Sequence, residues 1–278
     1  MIRTAERIAV TKISLWSETA KVSFLLLIIE NQVKYKERRG IMPFVTDSAI
    51  PQARNEYVCW IDIMGTKSKM ENSVNTCAIF MLKFHASILD AIQKKKCVIN
   101  VYPVMDGVYI TSTSINDLQT ALFHIFSELG DLFLSEDSFY HQFLVKAAIA
   151  YGPVIHGKDI DDSVNNAIAA DKNYKNSLLL GLPMIQAITG EQKAPPFGVY
   201  VHESARVFHP TDETAFSFKW WKWFLPGKQG WNKDKTKQLS QKIEKYFDNC
   251  KKQSMILEYP SDRIDVHKQA ATEYFLQI

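Results

Sequence analysis

Short β-rich runs alternate with longer amphipathic stretches along the chain, beginning at residue 57. Runs rich in β-branched and aromatic residues predict strands, and apolar residues three or four positions apart predict helices. The predicted strands are Tyr57–Ile63, Val98–Val104, Val108–Ser112, Phe143–Ala150, Val154–Ile155 and Gly198–Val201. The predicted helices are Glu71–Lys95, Asn116–Leu134, Gly181–Thr189, Lys233–Lys252 and Asp265–Phe275. Their order predicts an α+β fold with a mostly antiparallel sheet and helices packed on it, close to a ferredoxin-like unit with an extra hairpin.

Turn residues between these segments predict how the strands connect. Asp106-Gly107 lies between two β-rich runs and is a hairpin signal. A second pair of strands is expected around Gly152-Pro153. Asn116 or Asp117 is expected to cap the second long helix. The apolar positions at helical spacing in the first long helix are Ile79, Leu82, Ile88, Leu89 and Ile92.

Composition and charge describe an ordinary globular protein. The 278 residues are 46% hydrophobic and 23% charged, which excludes a disordered or collagen-like chain. The formal net charge of +3 is too small to indicate a nucleic-acid-binding protein. Residues 1–41 hold eight basic and four acidic residues, a net +4, so the rest, with 25 basic and 26 acidic residues, carries −1.

These patterns divide the chain into an N-terminal extension of uncertain role, residues 1–41, and a main domain, residues 42–278. The apolar run Val22–Ile29 is far shorter than the ~20 residues that span a bilayer, so stable membrane insertion is not expected. Met42 follows a basic run and is an alternative start of translation. The cysteines show no zinc-binding spacing and predict free thiols in a cytoplasmic protein; they are Cys59, Cys77, Cys97 and Cys250.

Two aspartates mark the chemistry that the pattern favours. Asp62 ends an otherwise apolar strand, and Asp106 lies at the tip of a predicted hairpin. Carboxylates at neighbouring strand ends can bind divalent cations such as Mg²⁺, which prefer oxygen ligands and bring a nucleoside triphosphate with them. The backbone N–H groups of Met64, Gly65 and Thr66 would face the phosphates. Each aspartate also has a simpler interpretation as a turn or helix-capping residue without a function.

Four segments, in order, resemble class III nucleotidyl cyclases across residues 57–201. Trp60–Lys67 resembles the first metal motif, and Val104–Ile110 resembles the hairpin with the second metal aspartate. Ala148–Gly157 is similar to the family's Gly-Pro-containing hairpin, and Gly181–Ala187 to the start of its fourth helix. The combination most resembles the pyrimidine cyclases of the Pycsar anti-phage system, which make cyclic UMP or cyclic CMP.

The resemblance implies a site, cofactors and partners. Asp62 and Asp106, with the carbonyl of Ile63, would bind two divalent cations, Mn²⁺ or Mg²⁺. Met64, Gly65, Thr66 and Lys67 would bind the triphosphate of UTP or CTP. The family implies a homodimer with sites at the subunit interface, and a cyclic product that acts on a separate effector protein.

Departures from purine cyclases bear on the substrate. Tyr102 stands where purine cyclases read the base, and it could stack on or hydrogen-bond a pyrimidine; its simpler reading is a core aromatic. Ser177 and Leu178 occupy the neighbourhood of the second base reader. The family's helical Asn and Arg correspond to Ile185 and Thr189, which leaves the role of the transition-state Arg unassigned. Candidate replacements are Lys146, Lys193 and Arg206.

The leading expectation is a pyrimidine nucleotidyl cyclase, with UTP favoured over CTP because uridylate cyclases are prominent in the family. A nucleotide-binding or dimerising module that has lost catalysis is the second hypothesis. A third is nucleic-acid binding by interleaved Trp and Lys residues between 219 and 233, for which core packing is the simpler reading. His156 and Lys158 are expected to be solvated loop residues unless they approach phosphates, and the acidic residues at 161, 162 and 171 to lie in an exposed loop.

Overall fold

The computed structural model describes residues 44–94, 96–210, 216–225, 231–255, 257 and 259–276. The expectations for residues 1–41, including the apolar run, and for a start at Met42 fall outside this part of the chain. The strands are β1 (Arg54–Ile63), β2 (Asn100–Val104), β3 (Gly107–Ser112), β4 (Val145–His156), β5 (Leu179–Gly181), β6 (Val199–Val201) and β7 (Trp220–Trp221).

Helices of very different length connect these strands. They are α1 (Thr66–Asn72), α2 (Val74–Gln93), α3 (Ile115–Ser135), α4 (Asn166–Ala170), α5 (Lys172–Ser177), α6 (Leu182–Glu191), α7 (Glu203–Val207), α8 (Lys233–Lys252) and α9 (Ser261–Phe275). Short 3-10 turns lie at Asp47–Ala49, Phe139–His141, Gly157–Asp159 and Asp162–Val164.

The sheet confirms the predicted α+β class. Its strand order is β2-β3-β1-β4-β6-β7, with β5 also paired to β4. The pairs among β1 to β4 are antiparallel, as in a ferredoxin-like unit, and β6 joins β4 in parallel. The register places Asp62 of β1 opposite Gly107 on one side and Lys146 on the other.

The two faces of the sheet differ in how they are covered. One face packs against α2, α3, α8 and α9, and it forms the main hydrophobic core. The other face carries a smaller cluster that includes Val58, Trp60 and Tyr109, over which α6 packs through Ala187 and Met184. Because side chains alternate along a strand, Asp62 shares this second face with Val58 and Trp60.

The predicted strand pair around Gly152-Pro153 is wrong. These residues lie inside one continuous strand, β4, which pairs with β1 along its length. A Cβ at Gly152 would lie 3.1 Å from the Cγ of Pro183 at the start of α6. The glycine therefore permits a helix to approach the sheet closely, and it does not form a turn here.

The first predicted helix is divided, and its buried face differs from the expected one. Ser73 separates α1 from α2 and caps α2 by accepting a hydrogen bond from the backbone N–H of Thr76. Ile79, Leu82 and Leu89 are exposed. The buried side chains of α2 are Cys77, Phe80, Phe84, Ile88 and Ala91. In α3 the cap is Ser114, which precedes the expected Asn116 or Asp117.

Several composition-based expectations can be checked in the described residues. Cys59, Cys77 and Cys250 are buried free thiols, and Cys97 is half-buried. Trp223 and Trp231 are buried in the main core, which agrees with the core reading of the Trp-rich segment. Within the described ranges, no helix has the length and apolar character needed to cross a membrane.

Candidate active site

Asp62 lies one residue before the C-terminal end of β1. The preceding residues of β1 from 57 to 61 are buried because both faces of this central strand are covered, whereas Asp62 is half-buried. Burial raises the pKa of Asp62 to about 7, and the charges of Asp106 and Glu191 contribute to the rise. The backbone N–H of Ile63 and the charge of Lys146 act in the opposite direction. The ionised form of Asp62 is therefore disfavoured unless positive charge is brought to this strand end.

Asp106 reaches the same strand end through the tight turn between β2 and β3. Met105 adopts a positive φ of 55°, and Gly107 follows directly opposite Asp62. A Cβ on Gly107 would lie 2.3 Å from the indole of Trp60 and 2.9 Å from the carbonyl oxygen of Ile61. Only glycine lets the hairpin pack this closely on β1, and this packing brings the two predicted aspartates together.

The turn after β1 joins the two aspartates to the start of α1. Gly65 has a φ of 75°, a left-handed conformation that glycine adopts without a steric penalty. The Met64 N–H donates to the Leu144 carbonyl at 2.8 Å, so this amide does not point freely into solvent. The buried Thr66 hydroxyl lies 3.4 Å from the Ile63 carbonyl oxygen and donates to the Asp106 carboxylate.

Lys67 differs from the rest of the predicted phosphate-binding turn. Its side chain is 86% exposed, and its ammonium lies 3.8 Å from the Glu71 carboxylate one helical turn away. Such an exposed pair contributes little to stability and leaves the lysine able to reorient. The Lys67 side chain is therefore free of steric obstruction from α1, and the predicted phosphate contact is sterically allowed.

The donor set fits hard divalent cations. Asp62 and Asp106 supply carboxylate oxygens, and the Ile63 carbonyl lies beside Thr66, which contacts Asp106. The two carboxylates repel each other, and a bound cation would reduce this repulsion. No group of three or more His, Cys, Asp or Glu suited to a metal is present among the described residues. A two-carboxylate site agrees with Mg²⁺, which keeps waters and substrate phosphates as its other ligands.

Lys146 forms the opposite side of this site. It faces Asp62 directly across the β1–β4 pairing and is 4% exposed. Its ammonium lies 3.9 Å from the Glu191 carboxylate of α6 and 3.4 Å from Nε2 of His267 in α9. Burial lowers the pKa of Lys146, whereas the charges of Glu191 and Asp62 raise it. Of the three candidates for a replacement cation, this one is placed beside Asp62.

The other two candidates make different contacts. Lys193 lies over the ring of Tyr200, with its nitrogen 5.5 Å from the ring centroid. Arg206 lies 3.9 Å from the Glu203 carboxylate within α7. Thr189, at the position of the family's Arg, donates its hydroxyl to the Ile185 carbonyl at 2.8 Å. These contacts give no indication of a second cation at the aspartates.

Tyr102 belongs to a buried polar cluster on the same sheet face. Its backbone pairs with Tyr109, which is level with Trp60, but its hydroxyl lies 2.5 Å from Nδ1 of His156. Nε2 of His156 lies 3.0 Å from the buried Glu56 carboxylate, without the alignment of a good hydrogen bond. Burial raises the pKa of Tyr102 to about 12. Tyr102 is 7% exposed and belongs to the smaller core cluster, which agrees with its simpler interpretation as a core aromatic.

The structure contradicts the expected position of His156 and agrees with the expected exposure of the loop aspartates. His156 was expected in a solvated loop, but it ends β4 and its side chain is fully buried. Lys158 is exposed and donates to Asn100 at 2.5 Å. Asp161, Asp162 and Asp171 are exposed, and they cap local turns or pair with Lys175. All three lie beyond the β4 end that is remote from Asp62.

Sequence reasoning missed the contribution of Glu191 in α6 and of helix α9 to the site. Glu191 and His267 contact Lys146, although both lie outside the motifs that indicated chemistry. No spacing signal connects residues 62, 146, 191 and 267, because the sheet register and helix packing bring them together. A buried lysine inside the apolar run of β4 was the one available hint.

Comparison with known proteins gives distant structural similarity. No protein-family model matches the chain, and no curated protein matches it. The chain is similar to the guanylyl cyclase domain of the RhoGC fusion protein from the aquatic fungus Blastocladiella emersonii. The match has 12% sequence identity and a TM-score of 0.43, and it covers 56% of this chain and 82% of that chain.

Two bacterial proteins show similarity of the same order. The adenylyl cyclase CyaB from P. aeruginosa has 11% identity over 61% of this chain and 92% of that chain, with a TM-score of 0.39. A bacterial light-regulated adenylyl cyclase has 19% identity over 51% of this chain, with a TM-score of 0.35, and 46% of its own length is covered. At such identities and TM-scores, the similarity establishes no function.

Proposed function

We propose that this chain is a nucleotidyl cyclase that converts a nucleoside triphosphate into its 3′,5′-cyclic monophosphate and pyrophosphate. The observation that carries the proposal is the convergence of Asp62 and Asp106 at one strand end, produced by the pairing of β1 with the Gly107 hairpin. The buried Lys146 adds positive charge to the same strand end. Carboxylates and a cation at one site suit a substrate that enters with metal ions on its phosphates.

Each residue of the proposed site has a defined role. The carboxylates of Asp62 and Asp106, with the Ile63 carbonyl, would hold divalent cations, which when bound polarise the phosphates and the attacking hydroxyl. The Thr66 hydroxyl orients Asp106 by donating to its carboxylate. The backbone N–H groups of Gly65 and Thr66 and the side chain of Lys67 would contact the triphosphate. The predicted contact from the Met64 N–H is not proposed, because that group already donates to the Leu144 carbonyl.

The reaction itself is an intramolecular substitution at phosphorus. The ribose 3′ oxygen forms a bond to the α-phosphorus, the bond between that phosphorus and the α,β-bridging oxygen breaks, and the hydroxyl proton is released. Negative charge grows on the departing pyrophosphate, so fixed positive charge nearby lowers the barrier. Lys146 is well placed to provide such charge from within the same subunit. Holding the ribose and triphosphate in line supplies the remaining acceleration.

The finer proposal is a pyrimidine substrate, with UTP favoured and CTP as the alternative, in a homodimer that serves anti-phage defence through a separate effector. The pyrimidine part is supported by Tyr102 and Thr189, which stand where purine cyclases carry base-reading and transition-state residues. The homodimer, the defence role and the effector rest on the resemblance to pyrimidine cyclases. The alternative of a catalytically inactive nucleotide-binding module is favoured by one observation, the internally bonded hydroxyl of Thr189.

Incubation of the full chain with ATP, GTP, CTP and UTP, each with Mn²⁺ or Mg²⁺, tests the proposal. We expect a cyclic product from UTP or CTP, and a loss of at least about a hundredfold in Asp62→Asn and Asp106→Asn because both carboxylates hold cations. Asp131→Asn removes an exposed carboxylate that pairs with Lys235, and it should retain activity.

Each outcome of this assay discriminates between the hypotheses. A product from ATP or GTP alone would overturn the pyrimidine assignment and keep the cyclase. Nucleotide binding without any product would favour the inactive module. Undiminished activity in Asp62→Asn would overturn the assignment of the metal ligands.

A further inference from the structure

A half-buried polar cluster connects the C-terminal helix α9 to the buried strand residue that faces Asp62. Lys146 lies 3.4 Å from Nε2 of His267, and Nδ1 of the same ring contacts the hydroxyl of Tyr259. Tyr259 and His267 belong to the segment after α8, far in sequence from the cyclase-like motifs. The ammonium beside the proposed site therefore has a partner supplied by the end of the chain.

The protonation of His267 determines the direction of these hydrogen bonds. Burial lowers the pKa of His267 to about 4, and the charges of Lys146 and Arg263 add to the effect. The ring is therefore neutral near pH 7, and a neutral imidazole has one donor and one acceptor nitrogen. Because the Lys146 ammonium can only donate, Nε2 accepts from it and Nδ1 donates to the Tyr259 oxygen.

Arg263 extends the positive charge of α9 toward the same place. It precedes His267 by four residues, so both side chains lie on one face of the helix. Arg263 is exposed, whereas its neighbour Ile264 is buried in the core and holds the helix in place. Burial raises the pKa of Glu191, which contacts Lys146, and the charges of Lys146 and Arg263 oppose this rise, so Arg263 lies close enough to act on Glu191. The face of α9 that reaches Lys146 thus carries a second, solvent-accessible cation.

We propose that α9 completes the triphosphate-binding side of the site: His267 is a positioning residue that holds the Lys146 ammonium beside Asp62, and Arg263 supplies exposed positive charge at the rim. The ligand class is the polyphosphate group of a nucleoside triphosphate or of pyrophosphate. This inference rests on the proposed cyclase function, because it assigns a role within the same site.

A double-mutant cycle on the full chain tests the role of His267, with calorimetric binding of inorganic triphosphate in the presence of Mn²⁺ as the readout. We expect His267→Phe to weaken triphosphate binding about fivefold, since Lys146 loses its acceptor. In a Lys146→Met background, the same change should have no further effect. His267→Gln offers an amide oxygen to Lys146 and should restore most of the affinity. Equal losses in both backgrounds would show a merely structural role and overturn the proposal.

Arg263→Gln provides a second test that does not disturb the core. We expect a loss of triphosphate affinity of about threefold or more, with Mn²⁺ alone bound at least as tightly, because a cation has been removed. Lys268→Gln is the matched control: it removes one positive charge from the same helix, but Lys268 pairs with Asp248 of α8. Equal behaviour of the two variants would overturn the proposed role of Arg263.

The binding assay separates this inference from the cyclase assignment. If the wild-type chain makes a cyclic nucleotide while His267→Phe and Arg263→Gln bind triphosphate normally, the role of α9 is wrong and the cyclase assignment stands. If the variants lose affinity as expected while no nucleotide is cyclised, the role of α9 stands and the catalytic assignment is wrong. Absence of any triphosphate binding by the wild type overturns the role of α9.

Discussion

Single side chains at the strand end take their chemistry from neighbours that are distant in sequence. Asp62 is half-buried close to Asp106 and Glu191, which raises its pKa, whereas Lys146 across the strand lowers it. Lys146 in turn contacts His267, which burial keeps neutral. Because each group changes the charge balance of the next, a substitution at one of them should be felt at the others.

The free energy of unfolding should depend on pH in a way that reflects the lowered pKa of His267. Its pKa is about 4 in the folded protein and near 6.5 in the unfolded chain, so the unfolded state binds the extra proton between these values. The contribution of His267 is therefore fully present above pH 6.5 and is lost as the pH falls toward 4. We expect a contribution of about 1 kcal/mol, reduced because the ring is partly solvated.

Urea unfolding of the wild type and His267→Gln at pH 4 to 7.5 measures this contribution as a difference. The wild type should lose more of its free energy of unfolding between pH 6.5 and 4 than the variant does. Groups that are remote from His267 titrate equally in both proteins and cancel. Parallel curves would show that His267 is not buried as a neutral ring.

At the scale of elements, the hairpin of β2 and β3 depends on close packing against β1. Gly107 leaves room for the indole of Trp60, and the register then fixes Asp106 beside Asp62. The turn at Gly65 depends on backbone conformation instead, since no atom lies within 4 Å of a Cβ built there. Glycine is therefore required at position 107 for close packing and at position 65 for a left-handed backbone conformation.

Alanine substitutions should distinguish the packing requirement at Gly107 from the backbone requirement at Gly65. Gly107→Ala places a methyl group against Trp60 and the β1 backbone, and we expect a loss of about 1–3 kcal/mol in the free energy of unfolding together with weaker Mn²⁺ binding. Gly65→Ala should cost about 1 kcal/mol through left-handed backbone strain alone. Urea unfolding and Mn²⁺ titration measure both effects. A smaller loss for Gly107→Ala than for Gly65→Ala would contradict the packing argument.

On the scale of the whole molecule, the sheet face that carries Asp62 is only partly covered. Helix α6 packs on it through its inner side, but its outer side exposes Leu182, Ile185 and Ile188. Contiguous exposed apolar side chains often indicate an interface. The proposed homodimer with sites between subunits would cover this face.

Substitution of Ile185 tests the proposed dimer. Ile185 is 63% exposed, and Ile185→Asp should give a monomer with at least about tenfold lower cyclase activity, because a charge would be buried at the interface. Leu82 is 69% exposed on α2, which packs on the opposite sheet face, so Leu82→Asp should remain dimeric. Light scattering after size-exclusion chromatography measures both. A monomeric wild type would refute the expected assembly.

Local patterns in the sequence were sufficient for the class of fold and for placing Asp62 near a strand end and Asp106 in a hairpin turn. Alternating β-rich runs and amphipathic stretches predicted the α+β sheet, since hydrophobic periodicity reflects which face of an element is buried. The Asp-Gly pair at 106–107 correctly predicted the hairpin, because its backbone preferences are local. The net charge near zero in residues 42–278 likewise follows from composition alone.

Only the tertiary structure decided how β4 runs, which face of α2 is buried and which groups surround Asp62. Gly152-Pro153 has the composition of a turn, but β4 remains continuous because long pairing with β1 and the contact with Pro183 outweigh local preference. Lys146 and His267 lie 121 positions apart and meet through sheet register and helix packing. Such contacts have no local signature, because they depend on the free energy of the assembled core and not on any one segment.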